Sequence, residues 1–306
     1  VRVRPGVRVR PGAVVARVPA PALFVGSGLA QYLGAAIAIG LFAQVSAAGI
    51  AWLRLAVAAL VLLAWRRPWR LTWTRASLRA AVLFGVVLAT MNVSFYLAIE
   101  HLPLGTAVAI EFLGPVAVAA LTGAGWRERV GIALAAVGVV LLAGVTLAVG
   151  EGDVVVGLVA ILAAATCWAG YILLGRRVAA GPDGVSSLAV AMTVGALLFS
   201  PLAGQGGAVY RSPGLALAVV GVAVLSSVIP YALEQGILRR VSAATFAVLL
   251  ALLPATAAVV GAVVLRQWPH PLEAVGLLLV SGAIALTSQR RRPSADQGTT
   301  APPPAP

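Results

Sequence analysis

Residues 79–129 read RAAVLFGVVLATMNVSFYLAIEHLPLGTAVAIEFLGPVAVAALTGAGWRER, and this stretch decides the fold class. It holds two long apolar runs, 79–99 and 104–123, parted by Leu102-Pro103 and closed at both ends by arginine. An α-helix needs about 20 mostly apolar residues to cross the hydrocarbon core of a bilayer. Working outward, the same pattern recurs along the chain. Apolar runs bounded by Arg, Gly or Pro fall at about 22–43, 48–65, 79–99, 104–123, 129–149, 155–175, 186–204, 214–235, 243–265 and 272–289. Ten spanning helices are therefore expected, in an all-α integral membrane protein.

Composition agrees with that reading. Of 306 residues, 61% are hydrophobic and 10% charged, where a soluble domain carries about 25% charged residues. This excludes a soluble enzyme, a disordered chain and a secreted disulfide scaffold. A transmembrane barrel alternates apolar and polar residues over strands of about ten residues, whereas these runs are continuous and longer. Cys167 is the only cysteine, so no intrachain disulfide or cysteine-based metal site is expected, and no cofactor motif is found.

The net charge of +13 comes from arginine alone, 22 in all. They sit in short clusters between the apolar runs, which is a topology signal and not a nucleic-acid stripe. With the N-terminus placed in the cytoplasm, 19 arginines fall on the cytoplasmic side, Arg211 and Arg266 on the other, and Arg54 inside a span. Both termini are predicted cytoplasmic, in the inner (plasma) membrane. Residues 1–21 read as a disordered basic tail, its opening hexapeptide Val-Arg-Val-Arg-Pro-Gly repeated once, and residues 291–306 as a disordered Pro-rich one. The first apolar run is longer than the core of a signal peptide and reads as a retained helix.

A shift of 139 residues lays one half on the other. Ala30 and Tyr32 fall on Ala169 and Tyr171, Thr106 on Thr245, Pro115 on Pro254 and Ala119 on Ala258. Ten spans divide into five and five, and an odd number per half inverts the second half in the membrane. Two inverted five-helix repeats, residues 22–150 and 151–290, are expected, a recurring plan of secondary transporters with a site near the midplane.

Polar residues inside a membrane are costly and mark sites by default. Glu111 stands eight residues into span four, four before Pro115, which cannot donate to the Glu111 carbonyl. A carboxyl there is a candidate to load and release protons, or else a structural partner for Arg54. Arg54, in span two, suits a substrate carboxylate, but structural pairing is the simpler expectation. Glu234 closes span eight after Pro230-Tyr231, either as a gate or as a solvated helix end. Gln31, Tyr32, Asn92, Tyr96, Trp168, Tyr171 and Tyr231 complete the candidate path. For any one of them alone, helix–helix hydrogen bonding or packing is the simpler explanation. Pro115, Pro230 and Pro254 are expected to hinge or break their helices. No phosphate loop, catalytic triad or metal motif is found, so no enzyme activity is expected.

The run Met91-Asn92, Phe95-Tyr96-Leu97, Ile99 and Leu102 through Pro115 resembles the EamA-type exporters of the drug/metabolite transporter superfamily, in particular the threonine/homoserine exporter group. Leu53-Arg54-Leu55, Pro68-Trp69-Arg70-Leu71, Cys167-Trp168-Ala169, Tyr171-Ile172-Leu173 and Pro230-Tyr231-Ala232-Leu233-Glu234 agree with it. The resemblance implies two inverted repeats, a central cavity near Glu111, Asn92, Tyr96, Trp168 and Tyr231, and export of small amino acids or related metabolites against a flow of protons. Two acidic positions usual in the second repeat of such exporters are absent, with Leu253-Pro254 and Leu265-Arg266-Gln267 in their place. Other readings are export of an aromatic amino acid, a drug or a nucleotide-linked sugar, or a passive channel. The expected partners are a small-molecule substrate, protons and the lipid bilayer, with no nucleic acid.

Overall fold

A computed structural model describes residues 18–122, 125–149, 153–179, 184–230, 233 and 249–288. Among these the chain is all-helical. The first half gives α1 (Ala20–Leu41), α2 (Ala47–Arg66), α3 (Arg75–His101), α4 (Leu104–Glu111), α5 (Leu113–Thr122) and α6 (Trp126–Val149). The second gives α7 (Val154–Ala179), α8 (Gly184–Leu198), the short α9 (Gly207–Arg211), α10 (Pro213–Ala223), α11 (Leu252–Leu265) and α12 (Pro271–Ser288). Local chemistry sets the ends. Ser46 caps α2 by accepting from the Gly49 amide at 3.1 Å, and Thr74 and Ser77 form a reciprocal capping box at the start of α3. Arg67 and Arg266 take the left-handed conformation (φ 46° and 57°) and close α2 and α11.

By length and composition, five helices can cross a membrane: Pro21–Leu41, Ala47–Arg70, Arg75–His101, Arg129–Ala148 and Val154–Gly175. A sixth crossing exists if Ser186–Leu198 and Ser200–Arg211, bent by 70°, make one span. Helices also stand at the other expected spans, but they are shorter or interrupted, and the interruptions have identifiable causes. Span seven was expected to run to 204. It stops at Leu198, because Pro201 disfavours helical backbone at Ser200 and cannot donate to the Leu197 carbonyl. Span four breaks at Phe112, three residues before Pro115, where the Glu111 carbonyl loses its donor. Span eight widens into a π turn, Val224–Val228, in which the Ile229 amide reaches back to the Val224 carbonyl. Pro230 follows and cannot serve the Ser226 carbonyl, which removes the α-helical alternative. In span nine, Ala251 interrupts the helix three residues before Pro254, whose missing N–H then falls harmlessly in the first turn of α11.

Helices of the first half pack chiefly on helices of the second. The α1 helix lies against α11 and the π turn; α7 lies against α3, α4 and α5. The α6 and α12 helices pack together, as do α2 and α8, and α4 and α11. Small residues allow the closest approaches. A Cβ on Gly85 of α3 would sit 2.6 Å from the Ala191 carbonyl oxygen of α8. The outward faces are apolar, with Leu121, Val140, Leu217 and Leu278 all at least 70% exposed. In a molecule this hydrophobic, such faces are where lipid replaces water.

Candidate functional site

Where α1, α2, α3, α4, α7 and the π turn meet, they enclose a cavity lined by Gln31, Tyr32, Ala35, Arg54, Met91, Asn92, Phe95, Tyr96, Glu111, Trp168 and Ser226. Seven residues expected from sequence come together here: Gln31, Tyr32, Arg54, Asn92, Tyr96, Glu111 and Trp168. Tyr171 is not among the lining residues; its ring stacks on Phe84 at 4.6 Å. Tyr231 and Glu234 lie outside the described residues.

The cavity is held by a polar scaffold centred on Arg54, which is 7% exposed. Its Nη1 donates to Ser227 Oγ at 3.2 Å, its Nη2 donates to Asn92 Oδ1, and its guanidinium lies 4.8 Å from the Tyr96 ring centre. Asn92 is itself oriented, because its Nδ2 donates to the Leu88 carbonyl one turn back at 2.7 Å. The expected pairing of Arg54 with Glu111 is replaced by these neutral partners, while Glu111 lines the same cavity. Each charge is brought in by a different helix, Arg54 by α2 and Glu111 by the end of α4, where all eight residues are buried. Behind Glu111, Phe112 meets the Trp168 ring edge-on at 4.5 Å and fixes one wall.

Sequence reasoning missed Ser226 and Ser227. Ser226 lines the cavity and donates to the Gln31 carbonyl at 3.4 Å; Ser227 receives Arg54. A serine pair in an apolar span, three residues before a proline, was the available signal. Also missed was Glu273, an acid only 6% exposed at the start of α12. It accepts from the His270 amide at 2.8 Å and from Thr106 Oγ1 at 3.4 Å. Nearby, Gln267 Oε1 accepts from the Leu104 amide at 3.0 Å. Gln267 thus serves as an acceptor for the start of α4, and Leu253 is buried against α1. Among the described residues no group of three or more His, Cys, Asp or Glu is placed to hold a metal.

Residues 155–289 match the profile of the EamA-like transporter family. The threonine/homoserine exporter RhtA of Escherichia coli (strain K12) is 37% identical over 257 residues, which cover 83% of this chain and 85% of the relative. The protein of the same name from Salmonella typhimurium (strain LT2) is 36% identical over 252 residues, 82% and 84% of the two chains. A solved structure titled "Crystal structure of protein" superposes with a TM-score of 0.55 over 87% of this chain and 96% of its own, at 18% identity, a likeness of fold alone. With a helical, multi-pass membrane architecture and relatives that match most of its length, the chain belongs to the EamA-like transporter family, whose members are transporters and not enzymes.

Proposed function

We propose that this protein is a secondary exporter of small amino acids, threonine- or homoserine-like, working by proton antiport and alternating access across the plasma membrane. Ten helices would form two inverted repeats, residues 22–150 and 151–290, with both termini cytoplasmic. The arginine distribution supports that orientation. The repeat is supported by reciprocal packing, α1 on α11 and the π turn, α7 on α3, α4 and α5. It is also supported by the helix interruptions at Phe112 and Ala251, which stand at the same 139-residue offset as Pro115 and Pro254.

The observation that carries the function is one buried acid and one buried base lining a single cavity between the two halves. A zwitterion needs both. Glu111 holds either a proton or the substrate's ammonium group, and this exclusion couples the two flows. A proton entering from outside occupies Glu111, leaves it to the cytoplasm, and frees the carboxylate for the next substrate. Gln31, Tyr32, Asn92, Tyr96 and Trp168 border the path. The names of the relatives support the substrate class.

The test is threonine efflux from loaded proteoliposomes with and without an imposed pH gradient, wild type beside Glu111→Gln. Efflux stimulated by the gradient in wild type is expected. The variant loses that stimulation, while threonine–threonine exchange persists at weaker affinity because the neutral side chain no longer pairs with the ammonium. A variant that still responds to the gradient removes Glu111 as the proton carrier.

A further inference from the structure

Resting on that reading of the cavity, we infer that the Nε edge of Arg54 and the hydroxyl of Tyr96 form its carboxylate subsite, so that a free carboxylate is what the transporter requires of its substrate.

The argument begins with donors. A guanidinium carries five N–H groups in a fixed planar fork. In Arg54 the two terminal nitrogens are engaged, one with Ser227 and one with Asn92. Among the described residues neither Nε nor the Tyr96 hydroxyl has a hydrogen-bond partner, and both atoms are buried; Tyr96 is 1% exposed. Buried donors are nearly always paired, yet here two unpaired ones occur on side chains in direct contact, the guanidinium lying over the Tyr96 ring. Both residues line the cavity.

The arrangement is rigid. Asn92 is locked to the Leu88 carbonyl, and Ser227 is delivered by the π turn. These two hold Arg54 by its terminal nitrogens, and Nε remains unpartnered. Asn92 and Ser227 are thus positioning residues, while Arg54 and Tyr96 touch the substrate.

The charge of the site selects the group. Among the described residues every direct partner of Arg54 is neutral, so the buried cation offers its charge to whatever enters. An ammonium is repelled. An amide accepts hydrogen bonds but brings no charge. A phosphate dianion would meet a single cation with Glu111 lining the same cavity. A carboxylate is planar, accepts from Nε and from Tyr96 together, and brings one charge to balance one charge. Glu111 then faces the opposite, cationic end of the zwitterion.

The experiment is inhibition of labelled threonine counterflow in proteoliposomes by threonine and by threoninamide. In wild type, threoninamide should compete at least 10-fold more weakly, the scale of one charge-assisted hydrogen bond. Tyr96→Phe keeps the ring under Arg54 and removes only the unpartnered hydroxyl, so it should fold. It should weaken threonine about 10-fold and threoninamide by less, because a hydrogen bond to a carboxylate is stronger than one to a neutral amide. Equal competition by the two compounds in wild type overturns the subsite, and so does a Tyr96→Phe loss that is the same for both. If wild type carries no threonine at all, the transport reading fails separately. The subsite is then read from thermal stabilisation of purified protein by 3-hydroxybutyrate, threonine and threoninamide. Stabilisation by the two carboxylates, reduced by Tyr96→Phe, sustains it, and no preference for carboxylates overturns it.

Discussion

Replacing Gly114 with alanine tests whether the wall of the cavity is built by backbone contact. Gly114 stands in the first turn of α5, three residues beyond Glu111, against α7. A Cβ there would lie 2.3 Å from the Ala165 carbonyl oxygen and 3.1 Å from the Ala169 amide nitrogen. The first distance falls about 1 Å short of ordinary van der Waals contact. What it meets is backbone, so no side chain can rotate aside, and α5 must back away from α7. Overpacking of this kind costs about 1–3 kcal/mol, and rigid opposition places this case at about 3. The same junction carries the Phe112–Trp168 contact and the end of α4, so transport should fall along with stability. The control is Gly144→Ala in α6, where nothing lies within 4 Å and the change improves helix propensity by about 1 kcal/mol. Thermal unfolding of the purified variants in detergent, side by side, reads the difference. Gly114→Ala melting with wild type would refute the close-contact reasoning, as would an equal loss in Gly144→Ala.

Two further outcomes follow from the polar contacts. Asn92→Ala leaves Arg54 Nη2 without its acceptor and should cost about 1–3 kcal/mol, measured as a lowered unfolding temperature with weakened threonine retention; an unchanged melt would separate Asn92 from the scaffold. Glu273→Ala removes the acceptor for the His270 amide and for Thr106 and should cost about 1 kcal/mol; faster amide hydrogen exchange at the start of α12 is the check, and unaltered exchange there would refute it.

Much of the architecture was legible in the runs and their breakers, because hydrophobic thickness leaves little choice. The long helices α1, α2, α3, α6 and α7 lie within a few residues of the expected spans. The prolines carried a second layer of information. Pro115 signalled the break at Phe112, and Pro230 the widening before it, since a missing N–H inside a helix strands a carbonyl. The 70° bend after Leu198 was missed because the apolar pattern continues straight through it. Within the site, charge in an apolar run was enough to find Glu111 and Arg54. It was not enough to pair them correctly, because pairing depends on which helices meet, and Arg54 met Asn92 and Ser227. Serines 226 and 227 went unnoticed for a related reason. A hydroxyl in a spanning helix is usually satisfied by its own backbone, as Thr146, Thr166 and Thr193 are here by the carbonyls four residues back.

The complete burial of α4 has a mechanical consequence. Its eight residues, Leu104 to Glu111, have no free face, and its length is about 12 Å at 1.5 Å per residue. One end carries the Glu111 carboxyl; the other is tied by Gln267 and Glu273 to the linker and first turn between α11 and α12. A segment so enclosed has no soft direction in which to bend, so it transmits thrust as a push-rod does. The acid and the α11–α12 corner are thus joined through one short, enclosed helix and not through a loop.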